Sequence, residues 1–281
     1  SVLDYFDLYK KFTYVRQESY RLNYIAKVEL GESKLDNPYE TFKDFYTKDY
    51  QKFVEYNIQD VELVDKLEDK MKLIELCLTM AYEAKVNYTD VYSQVRCWDT
   101  IIYNHLLKKN IIIPPREDHD KDTQYEGAYV KDPQLGLHNW IVSFDLNSLY
   151  PHLIMQYNLS PETLVGVQPK NMGVENYLNE KFNLQWARDK NVTVAPNGSM
   201  YRRDKQGFLP ELMEKMYGDR VVFKKKTIEA KKEFQKTKDP IYKNEISRCN
   251  NIQMAKKIAL NSAYGAIGNQ YFRYFDVRIA E

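Results

Sequence analysis

The chain has 281 residues, 43% hydrophobic and 29% charged, with a mean hydropathy of −0.64. That describes a water-soluble chain with enough apolar mass for a packed interior, and a length that fits two domains or parts of several. Forty-one Lys and Arg against forty Asp and Glu leave a net charge of +1, which at face value excludes a polyanion-binding protein. The charge is segregated, however. Residues 202–281 hold 18 basic and 10 acidic side chains, net +8, while residues 1–201 hold 23 and 30, net −7. The C-terminal part is a candidate polyanion-binding surface.

No apolar stretch approaches the roughly 20 residues of a membrane span, and SVLDYFDLYK lacks the pattern of a signal peptide. Cys77, Cys97 and Cys249 are too scattered for a disulfide framework or a zinc site. A reducing, cytoplasmic setting with no membrane partner is expected. The first residue is Ser and the end, RYFDVRIAE, carries no stop signal, so both ends read as internal to a longer polypeptide. Twenty-four Tyr are spread along most of the chain without forming a low-complexity tract.

In chain order, Val61, Val64, Leu67, Met71, Ile74 and Leu78 recur three and four apart, which predicts one amphipathic helix within 51–80. A second helix is expected over 92–109, before the Ile111–Ile113 run and Pro114-Pro115. Residues 114–124 are polar and Pro-rich, the mark of a linker or domain edge. The period then changes. Tyr125–Val130 reads as a short strand and Trp140–Phe144 as a buried one. A helix is expected over Leu153–Tyr157, after the Pro151 break. Asn197-Gly198 predicts a hairpin between Val192–Ala195 and Ser199–Arg202. From Pro210 to about Lys236 the pattern is helical, Asp239-Pro240 interrupts it, and a second helix runs from about Ile241 to Ile267. Together they make a basic antiparallel helical hairpin. The fold class expected is α/β (α+β), multi-domain.

Two constellations carry chemistry. In Phe144-Asp145-Leu146-Asn147-Ser148-Leu149-Tyr150-Pro151, an apolar strand delivers a carboxylate at its C-terminal end, where ligands sit in α/β sheets. An Asp followed by turn N–H groups can hold a divalent cation on its carboxylate and a triphosphate on the amides. An Asp capping the next helix explains the same letters equally well. In Lys256-Lys257-Ile258-Ala259-Leu260-Asn261-Ser262-Ala263-Tyr264-Gly265, residues Lys257, Asn261 and Tyr264 share one helix face. Gly265 leaves that face open to a second backbone or a base pair. A cation, an amide and a ring on one face suit a phosphate, a base edge and a stacking contact. Alone, they suit a solvated Lys and a packed Tyr better.

Jointly, DLNSLYP and, about a hundred residues on, KIALNSAYG resemble motifs A and B of the family B DNA polymerases, in particular the T-even-like bacteriophage replicative type. Tyr125-Glu126-Gly127-Ala128 resembles the family's template-contacting YxG motif, and Tyr56-Asn57-Ile58-Gln59-Asp60 its third exonuclease motif. The resemblance covers essentially the whole chain.

It implies that Asp145 ligates both catalytic Mg²⁺ ions and that backbone groups at Leu146, Ser148 and Leu149 hold the dNTP triphosphate. Tyr150 would lie under the sugar and exclude a ribose 2′-OH. Arg220 and Lys224, one turn apart, would meet the phosphates with Lys257, which would act catalytically. Asn261 would line the nascent base pair, and Tyr125, Gly127, Tyr264 and Gly265 would contact DNA. Asp60 would ligate a metal of the 3′–5′ exonuclease, with Tyr56 orienting water.

The implied layout is the end of an RNase H-like exonuclease domain over 1–75 and a helical connecting segment over 76–116. A partial palm with a mixed sheet covers 117–206, helical-hairpin fingers cover 207–269, and a second palm segment starts at 270–281. Primer-template DNA and dNTP are the implied partners. A sliding clamp, a single-strand-binding protein and the cytoplasm of an infected bacterial host follow from the resemblance alone. The YGDTDS motif that brings the second catalytic carboxylates is absent from this sequence, as are the first two exonuclease motifs. The expectation is therefore a polymerase segment with little activity by itself. A non-catalytic nucleic-acid-binding module and one subunit of a split polymerase are the alternatives.

Overall fold

The computed structural model describes residues 2–13, 15–116, 130–168, 176, 179 and 185–281. It separates into two units, Ser1–Met80 and Ala81–Glu281, and its described residues are mostly helical with one small antiparallel sheet.

The first unit contains α1 (Tyr5–Phe12), α2 (Leu22–Leu30), α3 (Phe42–Lys48), α4 (Tyr50–Met71) and most of α5 (Leu73–Ala84). Carboxylate or hydroxyl caps start three of these helices: Asp4 accepts from Phe6 N, Thr41 from Asp44 N and Asp49 from Lys52 N. Each satisfies a backbone donor that the first helical turn leaves free. Phe45, fully buried, is met edge-on by Phe53 at 5.5 Å and by Tyr56 at 5.7 Å.

The single helix expected within 51–80 is two. Lys72 takes a left-handed conformation (φ 55°) and ends α4, and Glu68 Oε2 accepts from Ile74 N at 3.0 Å to start α5. That one-residue break changes the phase of the apolar stripe. After it Leu73, Leu76, Cys77 and Met80 are buried and Leu78, expected inside, is 50% exposed; before it, Val61, also expected inside, is 70% exposed while Leu63 is buried.

The second unit continues from the end of α5 through a 3₁₀ turn (Tyr88–Tyr92) to α6 (Gln94–Lys108), as expected for 92–109. It then holds α7 (Leu149–Tyr157), β1 (Leu164–Val167), α8 (Gln185–Asp189), β2 (Val192–Val194), β3 (Ser199–Arg202), α9 (Phe208–Thr237), α10 (Pro240–Ile267) and α11 (Val277–Ala280). The hairpin forms where Asn197-Gly198 predicts it: Thr193 faces Tyr201 and Val194 faces Met200. Gly198 supplies the positive φ of 87° that the turn needs. β1 adds to β3, giving the order β1-β3-β2, antiparallel throughout.

Three expectations are corrected. Trp140–Phe144 is not a buried strand: the segment carries no strand, and Trp140 is 99% and Phe144 90% exposed. A strand is stable only when another pairs with its N–H and C=O groups, and no described residue does so here. For the same reason the described sheet is antiparallel rather than mixed. The helix expected from Leu153 begins at Leu149, because Pro151 falls in its first turn, where no amide hydrogen is needed. Residues 117–129, which include the end of the expected linker and all but Val130 of the expected strand at Tyr125–Val130, lie outside the described residues.

The helical hairpin consists of α9 and α10, 30 and 28 residues long, or about 45 and 42 Å. Lys238 turns the chain at φ 59°, Asp239 accepts from Ile241 N at 2.9 Å, and Pro240 occupies the first turn of α10. The start of α9 is capped from afar. Asn158 Oδ1 accepts from Gly207 N (2.9 Å), Glu162 Oε1 from Phe208 N (2.6 Å) and Ser160 Oγ from Leu209 N (3.4 Å). Pro210 has no amide hydrogen, so all four positions are accounted for.

The same end of the hairpin is rooted in the main core, where Leu209, Met213, Leu260, Ala263 and Ile267 pack with Ile102, Tyr201 and Phe272. Trp98, 1% exposed, donates its indole N–H at 3.2 Å to both Ala259 O and Ser262 Oγ. Buried Asp99 beside it receives Arg273 Nε at 2.9 Å and Arg116 Nη2 at 2.8 Å. Burial pushes the Asp99 carboxyl up, but the hydrogen bonds of the two guanidinium groups outweigh it, and the net shift is downward.

Candidate active site

Asp145 lies in the exposed extended segment ahead of α7. It does not cap the helix: the N-cap is Ser148, left-handed at φ 55°, and the helix has no side-chain cap. That discards the capping explanation of Asp145. An uncapped N-terminus also points its amide hydrogens and positive dipole end outward. Leu146 is 68%, Leu149 41% and Tyr150 39% exposed.

Two contacts bring distant parts of the chain to this turn. From α9, Arg220 Nη1 donates to Ser148 Oγ at 3.1 Å. From α10, Tyr264 stacks on Tyr150, with ring centroids 4.8 Å apart and planes within 12°. His152 and Tyr217 add an edge-to-face pair at 4.7 Å, holding α7 against α9. Residues 72 and 114 positions apart thus meet around one turn.

Lys224, one turn beyond Arg220, is exposed. On α10, Lys257 is partly buried, Asn261 exposed and Tyr264 partly buried. The first atom a Cβ at Gly265 would meet is Gln94 Oε1 at 3.1 Å, so a flexible side-chain end occupies the space expected to be open. Tyr125 and Gly127 lie outside the described residues.

In the other unit, Tyr56 and Asp60 are one turn apart on α4. Lys34 Nζ reaches Asp60 Oδ2 at 2.6 Å and lies 4.7 Å from the Tyr56 ring centroid. Asp60 Oδ1 is buried without a hydrogen-bond partner among the described residues. Burial depresses the Lys34 ammonium, but the hydrogen bonds and charges of Asp60 and Tyr56 together outweigh that, and the net shift is upward.

The donor set for Mg²⁺ is partial. A carboxylate beside helix amides suits a hard cation shared with a phosphate, yet no group of three or more His, Cys, Asp and Glu that could hold a metal occurs among the described residues. Asp145 and Asp60 are single donors in different units.

Sequence reasoning singled out Lys257 and passed over its neighbour. Lys256 is 7% exposed and paired with Glu83 at 2.7 Å and Asp219 at 3.2 Å. The signal was present: Lys256 stands four residues before Leu260 and seven before Ala263, on the buried face. Asn158, which caps α9 and also donates to Arg202 O and Lys205 O at 2.6 and 2.9 Å, carried no local signal.

A basic helical hairpin thus meets a carboxylate-bearing turn within one unit. The chain belongs to DNA polymerase family B, whose sequence profile matches residues 85–281. It is 33% identical along its whole length to the DNA-directed DNA polymerase of Escherichia phage RB69 and 32% to that of Enterobacteria phage T4, covering 35% of each. A DNA polymerase of Paramecium bursaria Chlorella virus NY2A is 31% identical over 89% of the chain, which covers 27% of it. The chain therefore spans about a third of the length of the two phage relatives. Among the described residues, no helix is long and apolar enough to cross a membrane.

Proposed function

We propose that this chain is the exonuclease-end, palm and fingers part of a DNA-directed DNA polymerase that extends a primer from dNTPs on a DNA template. The observation that carries the reading is the meeting of Ser148 with Arg220 and of Tyr150 with Tyr264, which joins both polymerase motifs and the basic helix in one place. The domain layout is the one the resemblance implies, with residues 1–75 belonging to the proofreading exonuclease and 207–269 to the fingers. Phage DNA in an infected bacterium is the setting its relatives support, with a sliding clamp and a single-strand-binding protein as partners.

In this reading the incoming triphosphate lies at the uncapped start of α7, against the amides of Ser148 and Leu149. Arg220, Lys224 and Lys257 neutralise its charge, which matters because phosphoryl transfer depends chiefly on positioning and charge compensation. The Tyr150 ring, backed by Tyr264, leaves no volume for a 2′-oxygen on the sugar, and Asn261 lines the base pair. When bound, Mg²⁺ supplies Lewis-acid stabilisation of the phosphoryl oxygens, with Asp145 as one of its ligands. The remaining carboxylates come from outside this chain, so the 281 residues alone bind DNA or dNTP weakly and turn over little. In the exonuclease part, Lys34 must yield Asp60 before that carboxylate can accept a metal.

Primer extension by the polymerase polypeptide carrying Asp145→Ala tests the reading. Loss of a metal ligand worth several kcal/mol predicts a fall of about a thousandfold or more, with DNA affinity nearly unchanged. Retained synthesis would refute the assignment of Asp145.

A further inference from the structure

The two long helices are joined by a seam whose residues recur every seven positions. On α9, Met213 and Thr227 are buried and Arg220 stands seven residues from each. On α10, Cys249 and Ala263 are buried and Lys256 stands seven residues from each. Residues seven apart share a face. Midway along the hairpin, therefore, each helix places a cation where an apolar side chain would pack.

Their compensation is unequal. Lys256, whose side chain is 9% exposed, has two carboxylates within reach, Glu83 Oε2 at 2.7 Å and Asp219 Oδ2 at 3.2 Å. Arg220 has a neutral hydroxyl, Ser148 Oγ, at 3.1 Å, and its Nε is buried with no hydrogen-bond partner among the described residues. No ion pair joins it to a carboxylate among those residues. Yet Asp219 is the residue directly before it. A partly buried guanidinium without a counter-charge attracts an anion, and one paired with an adjacent aspartate would not.

We propose that Lys256 is a positioning residue for nucleotide binding. By holding Asp219 and Glu83 on its own ammonium, it keeps Arg220 uncompensated and aimed at the turn before α7, ready for a phosphate. This rests on the reading that Arg220 meets the dNTP phosphates. Without Lys256, Asp219 loses its partner and is left to compete for the cations adjacent in sequence, Arg220 next to it and Lys257 next to the vacated position. The nucleotide then competes with an internal carboxylate.

Single-nucleotide incorporation by the polymerase polypeptide, with KM for dNTP and kcat measured separately, tests the proposal. Lys256→Met should raise KM about tenfold and change kcat by less than about twofold, the pattern of lost ground-state binding. Lys256→Arg should restore KM, and Asp219→Asn alone should leave it within about twofold. The decisive variant is Lys256→Met with Asp219→Asn. Removing the competing carboxylate should return KM to within about threefold of the parent, whereas a purely structural role for Lys256 predicts that the double variant is at least as impaired as the single. That outcome, or an unchanged KM in Lys256→Met, overturns the proposal. If Lys256→Met has no folding transition, Lys256→Gln with and without Asp219→Asn gives the same comparison. Arg220→Ala separates the two levels: an unchanged KM there removes the reading of the site itself, while a raised KM with Lys256→Met at the parent value removes only the sequestering role.

Discussion

The two polymerase motifs are built to very different degrees. The second lies on α10, whose Leu260, Ala263 and Ile267 are in the main core and whose backbone carbonyl at Ala259 accepts from Trp98. The first begins in an extended segment whose Trp140, Phe144 and Leu146 are 99%, 90% and 68% exposed. A helix meets its backbone hydrogen bonds within itself and needs only a face to pack. An extended segment needs another chain segment alongside before either its amides or its side chains are satisfied. The motif that carries the carboxylate therefore depends on distant pairing, and the motif that carries the cations does not.

Stability and activity should separate along that line. The largest effect is on activity: Asp145→Ala should all but abolish primer extension while barely changing thermal stability, since the side chain is exposed. Trp98→Ala should cost about 4 kcal/mol in denaturant unfolding of this chain, because it empties a large buried volume and removes the bond to Ala259 O. A loss under about 1 kcal/mol would show that α10 is not anchored there.

Asp99→Asn should cost about 3 kcal/mol near neutral pH by leaving Arg273 with a neutral partner. The Asp99 carboxyl lies below its ordinary value of 3.8 in the folded state. Its contribution is thus fully present above that value and is lost as the pH falls through the folded pKa. The difference between wild type and Asp99→Asn, followed by unfolding at a series of pH values, should shrink only below about pH 4. The smallest effect belongs to the exposed segment: Trp140→Ser should alter the stability of this chain by less than about 0.5 kcal/mol. A cost of several kcal/mol would mean that the segment is packed after all and would dissolve the contrast between the two motifs.

Where chemistry is local, the residues themselves were informative. The Asn197-Gly198 turn, the α6 helix, the hairpin stop at Asp239-Pro240 and the helical face shared by Lys257, Asn261 and Tyr264 all follow from propensities within a few residues. The break at Lys72 did not, because a single left-handed residue leaves the apolar spacing nearly intact while rotating the face that is buried. The misread strand at Trp140–Phe144 has the opposite cause: its composition suits a sheet, but composition does not provide a partner.

By itself, then, the sequence determined the helical hairpin, its basic charge and the two motifs that mark the family, since each is written in short-range spacing. Only the tertiary structure decided which of two adjacent lysines is buried, that Asp219 and Glu83 belong to Lys256, and that Arg220 reaches Ser148 while Tyr264 stacks on Tyr150. Those pairings join residues tens to nearly two hundred positions apart. No local propensity encodes them; they follow from how α9 and α10 pack against α7 and the end of α5.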